Sequence, residues 1–196
     1  MSKNTKLKNL TFENILKESR LFVAPMEDSY IKSYPEFMSY FEDKSTLSLH
    51  DLVVSSHFVY GWMPTIIEMR FDRANEAVDY LNEAKRGVKL SLKQLETLKH
   101  TINNSIVGAS KLLHFVNPEN YAIWDSRINR YTTGRRGHYG VNDCQTYLDY
   151  LEALEEVESN PEFSQIKKEV QKHFDYHLGS KRVIELLMFE ADKRRN

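Results

Sequence analysis

Gly108-Ala109-Ser110-Lys111-Leu112-Leu113-His114-Phe115, then Pro118, then Ile123-Trp124-Asp125-Ser126-Arg127 is the stretch on which the reading of this chain turns. Its first part reads as a short apolar helix bearing one lysine. Pro118 ends that helix, because proline lacks a backbone N–H and its ring clashes with the preceding turn. Fourteen residues after Lys111, Asp125 stands between a tryptophan and the start of a new helix. There a carboxylate can accept the unpaired amides of the first helical turn.

Outward from this stretch, helical periodicity continues in both directions. Upstream, Asn103-Asn104-Ser105 reads as a hinge, and Ser91 caps a helix with Leu92, Leu95 and Leu98 on one face. Arg86-Gly87 stops a longer helix that is predicted to begin near Pro64 and to carry Ile66, Ile67, Met69, Phe71, Ala74, Ala77, Val78 and Leu81. Leu47 to Tyr60 is apolar enough to lie deep in a core, and Gly61 to Thr65 interrupts it. Tyr30 to Phe41 is aromatic and helical, with Pro35 in its first turn or at a break. A first helix begins at Phe12 behind Thr11.

Downstream, the helix opened by Asp125 stops by Gly134. Three more follow: Asn142-Asp143 to about Glu158, Asn160-Pro161-Glu162 to about Tyr176, and Gly179-Ser180 to about Arg195. No segment alternates in polarity so as to demand a strand; Phe22 to Ala24 and Tyr121 to Ile123 are short extended pieces at most. The expected class is all-α, with about nine or ten helices.

Composition narrows the setting. Hydrophobic residues are 41% and charged residues 28% of 196, ordinary for a globular protein. No long uncharged apolar run suggests a membrane span, and Met1 to Lys8 does not read as a secretory signal. The single cysteine, Cys144, excludes an internal disulfide and a cysteine zinc site, which fits a cytoplasmic location. The seven histidines show no metal-ligand spacing, and neither a phosphate-cradling glycine loop nor a dinucleotide fingerprint is present. No metal or cofactor is expected.

The net charge of −1 conceals an asymmetry. Lys85 to Gly140 holds ten Lys/Arg against three acids, a local +7, so the remainder sums to −8. Val141 to Phe163 has seven acids and no Lys or Arg. Phosphate binding needs local positive charge rather than a basic total, although solvated helix faces account for such runs equally well.

The run from Lys111 to Asp125 resembles the lysine-to-aspartate segment of the helix-hairpin-helix DNA glycosylase superfamily, and that resemblance implies one chemistry for the carboxylate. Cleaving the bond between a base and its sugar builds positive charge on the sugar, which a nearby carboxylate stabilises while it orients a water. Ile123 and Trp124 shield the position, and a helix start fixes it. Capping alone also explains an aspartate there, and the two roles are compatible. Lys111, if uncharged, could attack the sugar carbon; a solvated or phosphate-touching lysine is the plainer alternative. Gly108-Ala109-Ser110 could form a hairpin whose amides hold phosphate. Tyr60-Gly61-Trp62 could wall a pocket for a flipped base, or be a helix corner packed with aromatics. Arg127, Arg130, Arg135, Arg136 and His138 could grip phosphates, with a carboxylate of the acidic helix as the competing partner for Arg127.

The run from Ser105 to Tyr131 resembles the lysine-to-aspartate segment of the helix-hairpin-helix DNA glycosylase superfamily, closest to divergent bacterial members with the 8-oxoguanine-glycosylase fold. That resemblance implies a two-lobed helical unit around a cleft, with lobes of about 1–30 plus 125–196 and 31–124. It also implies a monomer that binds double-stranded DNA, with a flipped nucleotide between Tyr60/Trp62 and Trp124. Asp125 and Lys111 would be the catalytic pair, with Gly108, Ser110, Lys111 and the basic residues above on the nucleic acid. The family's glycines two and four residues before the lysine are Ala109 and Val107 here, and the interval to the aspartate is about a turn shorter. The resemblance thus points to a monofunctional, water-using glycosylase with Lys111 as helper, acting in base-excision repair or phage defence. The alternative is a helix-hairpin-helix module that binds DNA without catalysis.

Overall fold

The structure is a computed structural model describing residues 7–63, 65–135 and 140–195. The described residues are all-α and form ten helices: α1 (Phe12–Arg20), α2 (Ser29–Glu42), α3 (Leu49–Trp62), α4 (Ala74–Lys85), α5 (Leu92–Thr101), α6 (Ile106–Val116), α7 (Ser126–Thr133), α8 (Cys144–Glu158), α9 (Phe163–Gln171) and α10 (Ser180–Arg195). Among the described residues there is no strand, only an isolated antiparallel bridge between Met69 and Ile102. None of the described helices is long and apolar enough to cross a membrane. By internal contact the chain forms two compact units, Met26–Tyr121 and Met1–Pro25 with Ala122–Asn196.

The Met26–Tyr121 unit is organised on α6, against which α2, α3, α4 and α5 all pack. The sequence explains this hub: Ile106, Ala109, Leu112, Leu113, Phe115 and Val116 leave it apolar on nearly every side, so it is stable only when surrounded. Gly108 admits the closest neighbour. A Cβ there would lie 2.6 and 2.7 Å from Tyr60 ring carbons, so the missing side chain lets α3 reach α6. His114 is fully buried and ties the unit together. Its Nδ1 is 2.8 Å from the Tyr121 carbonyl and its Nε2 is 2.8 Å from the Tyr34 hydroxyl. A carbonyl can only accept, so Nδ1 carries the proton and Nε2 accepts from the tyrosine.

At the start of α3, Ser48 and Asp51 form a reciprocal capping box. Asp51 also accepts from the Tyr40 hydroxyl at 3.1 Å and pairs with Lys44 at 2.8 Å. Burial alone would push this carboxyl up, but Lys44, Ser48 and Tyr40 together outweigh it and hold Asp51 well below the usual carboxylate range. Its stabilising contribution is therefore complete above the unfolded-chain value of 3.8 and fades as pH falls below that toward the folded value. Asp51→Asn is expected to cost about 1–3 kcal/mol at neutral pH. Urea unfolding at pH 7 and pH 3 checks this: the gap between wild type and variant should narrow at the lower pH.

Several boundaries differ from the sequence expectation. Of the helix predicted from Pro64 to Lys85 only α4 forms; residues 65–73 are not helical. Backbone bonds from Arg70 to the Thr101 carbonyl and from Asn103 to the Glu68 carbonyl, at 3.0 and 3.1 Å, hold that segment along the end of α5. Helical-looking spacing there did not need a buried face, for Ile66 is 92% exposed and Phe71 58%. Pro35 lies inside α2, neither in its first turn nor at a break, where burial of Ile31, Tyr34 and Phe41 outweighs the lost backbone bond. Helix α3 is one-sided rather than deep, since Leu49 and Val54 face outward. Helix α9 ends at Gln171, short of Tyr176. The Gln171 amide donates to the Tyr176 carbonyl at 2.7 Å and accepts from the Leu178 amide at 2.8 Å, stapling a turn where a helix was expected.

In the other unit, α10 packs against α1, α7, α8 and α9. It buries Val183, Ile184, Leu186, Leu187, Met188 and Ala191 together with four charged residues. Each charge meets an opposite one, as burial requires. Lys181 pairs with Glu158 at 3.1 Å, Arg182 with Glu185, and Asp192 with Arg127 and Arg130. Buried Glu18 of α1 is held by Arg194 and Arg195.

Candidate functional site

Asp125 is the N-cap of α7. Its Oδ1 accepts the amides of Arg127 at 2.8 Å and Ile128 at 3.0 Å. Its Oδ2 accepts no hydrogen bond from a described residue, and the residue is partly exposed. The approach to it is rigid. Trp124 donates its indole N–H to the Val141 carbonyl at 2.8 Å, Tyr147 donates to Ala122 at 3.0 Å, and Tyr150 to Ile123 at 3.3 Å. Burial pushes the Tyr150 phenol well above its ordinary value, so it remains a neutral donor. Thus α8 pins residues 122–124 from one side while the amides of α7 fix the carboxylate itself.

Trp124 was expected to wall a base pocket. It is 0% exposed and tilted against Tyr150 with ring centroids 4.9 Å apart, so it packs the core behind Asp125 and presents no face to a nucleotide. Arg127 and Arg130 were expected on phosphates. Arg130 instead binds Asp192 through two nitrogens, at 3.2 and 2.6 Å. Arg127 lies 3.5 Å from the same carboxylate and over the Phe189 ring. Their partner thus comes from the last helix, not from the acidic one. Arg135 is exposed. Arg136 and His138 lie outside the described residues.

No family model, curated protein or solved structure matches this chain.

The Met26–Tyr121 unit holds the remaining candidates. Gly108 and Ser110 were expected in a phosphate-binding hairpin, but both lie buried inside α6, where Ser110 bonds back to the Val107 carbonyl. The turn is earlier, at Ile102–Ser105 between α5 and α6. Asn103 and Asn104 take φ of +57° and +48° there, conformations that asparagine tolerates better than most residues. Ser105 caps α6 by accepting the Gly108 amide at 3.3 Å. Lys111 sits with its ammonium 5.4 Å from the Trp62 ring centroid, a cation–π contact. Trp62 is half-buried, set edge-on to Tyr30, Phe37 and Phe115, and its buried indole N–H has no hydrogen-bond partner among the described residues. Tyr60 is buried against Gly108, which leaves Trp62 as the base-stacking candidate.

Sequence reasoning missed Asp192 and Tyr150. Arg127 and Arg130 stand three apart on one helix face, a spacing that lets them share one acid, but nothing in the sequence named Asp192. Among the described residues no three His, Cys, Asp or Glu side chains gather as a metal site.

Proposed function

We propose that this protein is a DNA glycosylase that removes a damaged or modified base from duplex DNA by hydrolysing its N-glycosidic bond. The observation that carries this reading is Asp125, a partly exposed carboxylate with one oxygen fixed by two backbone amides and the other accepting no hydrogen bond from a described residue. As the glycosidic bond breaks, its electron pair leaves with the base and the sugar becomes cationic. Oδ2 faces that charge and orients the water that adds to the sugar carbon, leaving an abasic site. In the Met26–Tyr121 unit, taken by itself, Trp62 with Lys111 against its ring is a candidate stacking surface for a base. In the unit that holds Asp125, exposed Arg135 is the phosphate contact. The activity is monofunctional, with no Schiff base on Lys111, and serves base-excision repair or defence against phage DNA.

A second reading is a DNA-binding module without catalysis. It is favoured by the completeness of Asp125's capping role, which needs no substrate to explain it. The two separate on product. The purified protein is incubated with duplexes bearing damaged or phage-type modified bases, then treated with alkali. Strand breaks that require alkali and Asp125 support the glycosylase. Salt-dependent binding without breaks on any duplex supports the module.

A further inference from the structure

Asp125 has two arginines close by on its own helix, at the second and fifth positions of α7, and forms an ion pair with neither. Arg127 gives Asp125 its backbone amide, and Arg130 lies within electrostatic reach of the carboxylate. Both guanidinium groups turn instead to Asp192 on α10, which is 3% exposed. A free carboxylate oxygen beside two flexible cations would ordinarily be captured by one of them. The buried Asp192 offers a drier partner, and a two-nitrogen geometry for Arg130.

We propose that Asp192 is a positioning residue that reserves Arg127 and Arg130 and so keeps Oδ2 of Asp125 open for a cationic sugar. Tyr150 of α8, which feels the charge of Asp125, is kept a neutral phenol by its burial. This assignment rests on the glycosylase reading for its consequence, but its geometric claim concerns only where the two guanidinium groups go.

The test therefore has a structural and a kinetic arm. A crystal structure of Asp192→Asn is expected to show an Arg127 or Arg130 nitrogen within about 3 Å of Asp125 Oδ2. Excision by that variant is expected to fall about 10- to 100-fold in kcat, with DNA affinity little changed. The triple variant R127Q/R130Q/D192N should regain most of the loss, because no cation remains to occupy Oδ2. A purely structural role for Asp192 predicts no such rescue. Should Asp192→Asn fail to fold, R130Q/D192N poses the same question with one cation fewer, since the kept Arg127 is 39% exposed and tolerates solvation. Arginines that stay away from Asp125, or a triple variant no better than the single, overturn the proposal. Wild-type protein that excises nothing overturns the glycosylase reading instead, and the crystal structure still decides whether Asp192 holds the arginines off.

Discussion

Asp125→Asn is expected to abolish base excision, by about a thousandfold or more, while the protein folds and binds DNA as before. The substitution separates the two roles of this residue. Asparagine caps a helix about as well as aspartate, so its side-chain oxygen can still accept the Arg127 and Ile128 amides. What disappears is the negative charge, and with it the stabilisation of a cationic sugar, an effect of the size seen when one preorganised group is removed from a transition state. The melting temperature should stay within about 3 °C of wild type. Asp125→Ala should in addition lose about 1 kcal/mol of stability with the cap. Single-turnover excision on the reactive duplex, beside melting and binding of the same samples, checks this. Full excision by Asp125→Asn would leave capping as the residue's only role.

The largest effect on stability is expected at Gly108. By helix propensity alone, Gly108→Ala should stabilise α6 by about 1 kcal/mol. The packing reverses that sign. The new Cβ would meet the Tyr60 ring carbons at 2.6 and 2.7 Å, and the ring is buried with nowhere to withdraw. Overpacking of this kind costs about 1–3 kcal/mol, so a net loss is expected for alanine. Gly108→Leu should show no cooperative melting transition. Thermal melts of Gly108→Ala, Tyr60→Leu and the double variant check the cause. A shorter side chain at 60 opens the space that alanine needs, so the double variant should lose less than the sum of the singles, by about 1 kcal/mol or more. Strict additivity would mean that something other than the Tyr60 contact sets the cost.

The same glycine shows where sequence reasoning reaches its limit. In the sequence, Gly108 beside a lysine suggested a loop that approaches phosphate. In the fold it serves a close approach too, but that of a tyrosine from α3 inside the core. Local chemistry says that a backbone must be reached; it does not say by what. The turn went unrecognised for a related reason. Asn103-Asn104-Ser105 read as a hinge, and two asparagines can take left-handed backbone as glycines do, but the motif was sought at the glycine. The non-helical 65–73 segment was misread because Ile66, Ile67, Met69 and Phe71 keep a helical spacing while two of them lie open to solvent. Spacing predicts a helix only when the marked face is buried.

By itself the sequence determined the class and most of the helix ends. Thr11, Ser91, Asp125 and Asp143 stand directly before α1, α5, α7 and α8, and Gly87 and Gly134, at φ +90° and +68°, follow α4 and α7. These signals are local, since a cap or a left-handed glycine acts within one turn of its own residue. The sequence likewise placed Asp125 at a helix start. Only the tertiary structure decided which side chains surround it: Tyr150 and Val141 behind the preceding tryptophan, and Asp192, more than sixty residues on, holding the two arginines. Such partners are selected by packing and by the cost of leaving a buried charge alone. Both depend on which helices meet, and that is a property of the whole fold rather than of any window of sequence.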